Sequence, residues 1–219
     1  MFKISLQIFI LIYILLVIYN IIYLQKYNIN GYIIETNDET TLKENIIKLN
    51  PVLLYQNNTF EIDSNIDSLI DIINYKNNIP NYIYKHNGIS IHFDQKYFFY
   101  YKLLEKSHLH FPISKYITII CGKNSIPLKR CIHNCNIIGI LDGSTTIYLF
   151  NPKHKEEIIN KENNQIKKWG HKKVLKKGDI LFIPPYWSIL QEIDNKVIQY
   201  HIDIDSYFTF IPNYFKDLD

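Results

Sequence analysis

The chain has 219 residues, of which 47% are hydrophobic, 15% aromatic and 21% charged, with a formal net charge of +3. That is enough apolar material for a packed core, which excludes wholesale disorder, and the absence of any internal repeat excludes solenoid designs. Three cysteines, Cys121, Cys131 and Cys135, contain no Cys-x-x-Cys pair, which excludes a disulfide scaffold and a cysteine-based zinc site. The composition is skewed to Ile, Asn, Lys and Tyr and lacks Ala altogether. These residues have AT-rich codons, so raw strand propensity is discounted as a signal.

From Ile4 to Gln25 no residue is charged, and only Ser5, Gln7, Asn20 and Gln25 interrupt the apolar run as clearly polar residues. As a helix this stretch reaches roughly 33 Å, against a hydrocarbon core of about 30 Å, so it predicts one transmembrane helix within residues 1–25. Tyr19, Tyr23 and Tyr27 with Lys26 form an aromatic and basic anchor at its exit. A cleaved signal peptide is the competing reading, but Tyr23 to Asn30 offers no small-residue cleavage site. The expected location is the membrane, single-pass. Its side is unassigned, because Lys3 faces Lys26 and Lys43 across the span.

Residues 26–37 read as a short stalk, and 38–219 as one domain. Thr40 to Leu49 carries helical signals and Pro51 to Tyr55 reads as a strand. Ser64 caps a second helix to Tyr75, with Ile66, Leu69, Ile70 and Ile73 on one face. Ile89 to Phe93 reads as a strand and Gln95 to Glu105 as a helix. A glycosylation sequon begins at Asn57 and matters only if that part is lumenal.

Beyond Ile113 short strands take over: Tyr116 to Cys121, Ile132 to Leu141, Thr145 to Phe150, Ile180 to Ile183, Trp187 to Ile193 and Val197 to Ile204. Asp142-Gly143 between two apolar runs predicts a hairpin. Lys177-Gly178-Asp179 predicts a second turn, and Pro184-Pro185 ends the strand that follows it. Many short strands after a helical lead-in predict a small barrel or sandwich.

Gly178-Asp-Ile-Leu-Phe-Ile-Pro-Pro-Tyr-Trp187 resembles the second diagnostic motif of the cupin superfamily, especially the cupin-like group related to Jumonji-C dioxygenases. Asn136 to Phe150, with its Gly143 turn, resembles the strand-turn-strand stretch that follows the first motif, and Pro51 to Tyr55 resembles the first strand of that family more weakly. The resemblance implies an α+β chain whose main body is a double-stranded β-helix, a cupin or jelly-roll-like barrel spanning about 113–205, with helices packed outside.

In catalytic members the resemblance implies Fe(II) held by His-x-Asp/Glu and a distant His, with 2-oxoglutarate as cosubstrate. Two imidazoles and one carboxylate occupy one face of the iron and leave positions open. Here the matched positions are Lys129, Cys131 and Ile189, with Asn136 at a further cupin ligand position. A protonated Lys repels a cation and Ile donates no lone pair, so neither metal nor cofactor is expected. His133 and His201 are the nearest substitute ligands, with Cys135 as a third, but residues of alternating strand direction do not readily make a facial site. His92-Phe93-Asp94 is a literal His-x-Asp, with His108 and His110 close behind, but it lies too far upstream of the motif.

Lys153 to Lys177 contains nine Lys and three Glu. It reads as a solvated insertion in the barrel, with attraction to anionic headgroups as the functional alternative. Aromatic residues are too sparse there for base stacking, so nucleic acid is not an expected partner. Taken together, the sequence predicts a membrane-anchored cupin-like protein in a non-catalytic binding or assembly role, a pseudoenzyme, with another protein or a small molecule as partner. The rival expectation is an Fe(II)- and 2-oxoglutarate-dependent oxygenase of the hydroxylase or demethylase type, and a third is a metal-free metabolite-binding barrel.

Overall fold

The structure, a computed structural model, describes residues 2–24, 31–55, 81–87, 112–122, 125–193 and 197–206. The helix expected at Ser64 to Tyr75, the elements expected between Ile89 and Glu105, Asn57 and the histidines His92, His108 and His110 lie outside these residues.

Helix α1 runs over Phe2–Leu24. Its side chains are described continuously from Leu6 to Tyr19, and most are exposed although nearly all are apolar. Among the described residues, no helix is long and apolar enough to cross a membrane.

The segment read as a stalk enters the domain. Ile34–Thr36 form strand β1, and Ile33 beside it joins the core. Helix α2 (Glu39–Ile47) starts where Asp38 accepts hydrogen bonds from the Thr41 amide, 2.8 Å, and the Thr40 hydroxyl, 2.5 Å. Leu42 and Ile46, one helical turn apart, are buried. The chain returns as β2 (Val52–Leu54), parallel to β1, so α2 is the crossover that a parallel pair needs.

The remaining strands are β3 (Asn81–Asn87), β4 (Pro112–Gly122), β5 (Ile126–Arg130), β6 (Cys135–Asp142), β7 (Ser144–Phe150), β8 (His171–Lys176), β9 (Ile180–Ile183), β10 (Ser188–Glu192) and β11 (Val197–Ser206). From β4 onward the pairing is nested: β4 with β11, β5 with β10, β6 with β9 and β7 with β8, all antiparallel. A long hairpin folded over on itself in this way is a jelly roll, the double-stranded β-helix of cupins. One sheet has the order β1-β2-β9-β6-β11-β4-β3 and the other β5-β10-β7-β8. Thus β1, β2 and β3 extend the edges of the first sheet.

One expectation needs correction, and two further features were not expected. Asp142-Gly143 does not close a hairpin, because β6 and β7 belong to different sheets. Gly143, at φ 80°, makes the corner by which the chain crosses between them. The solvated Lys-rich segment has structure of its own that was not expected: α3 (Lys155–Ile158), α4 (Asn163–Ile166) and the edge strand β8. Strand β5 was not expected at all, yet it pairs with β10 at the position that matters most for the site.

The space between the sheets is filled by Ile138, Ile140, Ile147, Leu149, Leu175, Leu181, Ile183, Trp187, Ile189 and Val197. A second, smaller core lies under the Lys-rich segment, where Ile158 and Ile166 meet Tyr148, Phe150 and Leu190.

Candidate functional site

Strand register builds the site. Ile189 of β10 is the direct partner of Lys129 of β5, and the Cys131 amide donates to the Trp187 carbonyl at 2.8 Å. The Tyr186 amide returns a bond to the Cys131 carbonyl. The turn before β10 is therefore tied to the residue that follows β5. Lys129, Cys131, Asn136 and Ile189 line one cavity of about 170 Å³.

Sequence reasoning missed two further polar residues of this cavity, Gln191 and Asp203, and placed His201 only as a substitute ligand. On β11 alternate residues face the barrel interior. Val197 packs in the core, Gln199 is fully buried, and His201 and Asp203 line the cavity. Gln191 and Gln199 satisfy each other, the Gln199 amide donating back at 3.1 Å. Asn136 donates to the carbonyls of His133 and Ile183.

The charge states follow from burial. The Cys131 thiol is pushed up to about 12, by burial first and then by the Asp203 carboxylate. The Cys135 thiol is also pushed well up, by burial first and then by the Asp203 carboxylate. Neither is a thiolate at neutral pH, so neither is a ready nucleophile or soft-metal ligand. His201 is driven down to about 3, by burial first and by the Lys129 ammonium second. Its Nε2 is buried without a hydrogen-bond partner. A neutral imidazole, a protonated thiol and two amides thus face a carboxylate and an ammonium.

The structure does not bring the substitute ligands together. His133 Nδ1 lies 2.8 Å from Asp205 Oδ2 in a buried pair, and its Nε2 lies 4.0 Å from Asp203 Oδ2. His201 lines the cavity, whereas His133 and Cys135 do not. Among the described residues no group of three His, Cys, Asp or Glu side chains is placed to hold a metal ion. The iron that the resemblance implies does not fit the matched positions, which supply a cation, a protonated thiol, an amide and a hydrocarbon.

A pH effect follows. The unfolded chain takes up a proton at His201 near pH 6.5, whereas the folded chain resists until about pH 3. The folded state binds fewer protons in that window, so this contribution is complete above pH 6.5 and is lost as pH falls toward 3. Urea midpoints measured between pH 7 and pH 4 should fall less steeply in His201→Leu than in the native chain. Equal slopes would show that His201 is solvated.

No protein-family model matches the chain. No curated protein matches it either. Among solved structures, a cupin superfamily protein from Desulfitobacterium hafniense aligns over 57% of this chain and 79% of its own, at 9% identity and TM-score 0.34. Streptomyces albus HEPD with 2-hydroxyethylphosphonate and Fe(II) bound aligns over 46% of this chain and 20% of its own, at 10% identity and TM-score 0.33. The coconut allergen cocosin aligns over 42% and 21%, at 12% identity and TM-score 0.32. This chain therefore spans about a fifth of the last two. The nested strand pairing alone carries the fold.

Proposed function

We propose that the protein is a membrane-anchored, cupin-like barrel that binds a small molecule or protein group without catalysing its conversion. The observation that carries this reading is the pairing of Lys129 with Ile189 across the cavity wall. An ammonium and a hydrocarbon stand where a facial iron site needs lone pairs. The cavity suits an occupant of a few heavy atoms, since about 150 Å³ is enough for benzene. Its polar partners would be Asn136, Gln191, His201 and Asp203, and the hydrocarbon of Ile138, Ile183 and Ile189 would take the apolar part.

The anchoring part of the proposal rests on α1, a continuous helix over the apolar run, whose described side chains are mostly exposed. Burying such a surface in hydrocarbon is the favourable outcome, because a helix satisfies all its backbone groups internally.

Anaerobic titration with Fe(II) and 2-oxoglutarate tests the reading. The expected result is no stoichiometric uptake. Stoichiometric binding with a visible charge-transfer band, lost in His201→Ala or Asp203→Ala, would instead make the protein an oxygenase with a rearranged ligand set.

A further inference from the structure

We infer that the surface of the Lys-rich segment, residues 153–177, docks on the headgroups of an anionic bilayer. The inference deepens the anchoring reading above and rests on it for the segment's nearness to the membrane. Three observations carry it.

The first is composition at the surface. The inward side of the segment is already used, with Ile158 and Ile166 buried on β7 and β10. Outside α1 and Tyr32, the exposed large hydrophobic residues among those described are Ile159, Trp169 and Val174, all on this segment. They are accompanied by seven exposed lysines, at 153, 155, 161, 168, 172, 176 and 177, against the two exposed glutamates Glu156 and Glu162. Exposed Trp among lysines is the chemistry of a surface that meets both headgroups and the acyl boundary.

The second is charge use. Lys167 and Lys173 are engaged by Glu192 and Glu35. Lys168 Nζ lies 5.4 Å above the Trp169 ring. On β8, Lys172, Val174 and Lys176 alternate on the exposed face of an edge strand. The cationic and apolar groups are therefore presented together, which fits phosphate-bearing lipid better than an acidic protein groove.

The third is position. Lys173 of β8 pairs with Glu35 of β1, and Gly31 lies four residues before Glu35. Gly31 is seven residues beyond Leu24, the last residue of α1. Seven residues reach at most about 25 Å even when fully extended, so anchoring α1 keeps β8 close to the bilayer.

The chain has two tryptophans, and they make the test direct. Trp169 is 37% exposed and Trp187 is 0% exposed. The full chain is mixed with phosphatidylcholine vesicles, with or without phosphatidylserine, carrying acyl chains brominated near the headgroup end. Quenching of Trp169 is expected only with phosphatidylserine and low salt. It should vanish near 1 M salt, where the Debye length is about 3 Å, and in the Lys168→Glu, Lys172→Glu double variant. Trp169→Phe should remove the quenchable emission and leave Trp187 unchanged. Flotation with neutral vesicles at high salt, with no quenching on anionic ones, overturns the docking and leaves the anchor standing. Quenching on anionic vesicles without flotation at high salt keeps the docking and overturns the anchor. Absence of both overturns both. Binding of an oligonucleotide that the double variant abolishes, with Trp169 unquenched by anionic lipid, assigns the charge to nucleic acid and overturns the inference.

Discussion

Replacing Trp187 by Ala should lower the free energy of unfolding by about 3–5 kcal/mol, the range for removing a fully buried aromatic ring. Trp187 is the largest of the fully buried side chains. It sits in the central core with Ile138, Leu149, Leu181 and Ile189. Its carbonyl also holds the Cys131 amide, so the ring anchors the turn that joins the two motifs. Neighbours held by two sheets cannot collapse fully into the vacated volume, so the cavity term adds to the lost transfer energy. Trp187→Phe should cost far less, under about 1.5 kcal/mol, because the indole Nε1 is buried without a partner and its removal relieves that burial. Urea titration of the full chain in detergent, followed by circular dichroism, reads both variants. A Trp187→Ala chain within about 1 kcal/mol of the native one would mean that the barrel repacks freely.

Asp205→Ala should be comparably damaging, at about 3–5 kcal/mol, for a different reason. The His133–Asp205 contact is 2.8 Å and both side chains are almost wholly buried. Removing the carboxylate leaves the imidazole in a site too dry to replace the lost bond with bulk water. The double variant His133→Leu, Asp205→Leu replaces both polar groups by hydrocarbon and should recover much of the loss. A double-mutant cycle isolates the coupling. Additive single effects would show that the pair contributes no coupling energy.

The parts of the fold legible in the sequence were those where turn chemistry and apolar runs agree. Gly178, at φ 90°, supports the Lys177-Gly178-Asp179 turn, and the Asp179 carboxylate accepts from the Lys176 amide there. The strand that follows, Ile180–Ile183, is buried along its whole length. Strand β8 was hidden because only Leu175 of His171–Lys176 is buried. A lysine-rich edge strand reads as solvated loop, which is also how edges avoid unwanted pairing. Strand β5, Ile126-Pro-Leu-Lys-Arg130, carries a proline and two cations and gives no alternation of the usual kind.

The cavity was legible only in part. Lys129, Cys131, Asn136 and Ile189 follow from motif position, but Asp203 and Gln191 do not. On β11 the alternation of Gln199, His201, Asp203 and Asp205 with Ile198, Tyr200, Ile202 and Ile204 reads as polar residues facing water. In the structure the polar series faces the barrel interior, and the apolar series is buried on the other side. Period-two alternation identifies two faces without saying which one is inside.

Strand β1 also decides how the domain responds to being pulled. Tension on α1 enters the barrel through Ile34–Thr36, which are held by three parallel register pairs with β2. The Glu35–Lys173 contact and the Tyr55 hydroxyl bond to Glu35 add a clasp on the same strand. These bonds are at a sheet edge, whereas β2 continues to be held by β9 further in. Load therefore opens β1 and α2 before it reaches the nested strands, because the least-packed edge unit unfolds at the lowest free energy. Residues 31–50 would then pay out about 70 Å of extended chain. Under such a load the cavity would keep its shape while the connection to α1 lengthens.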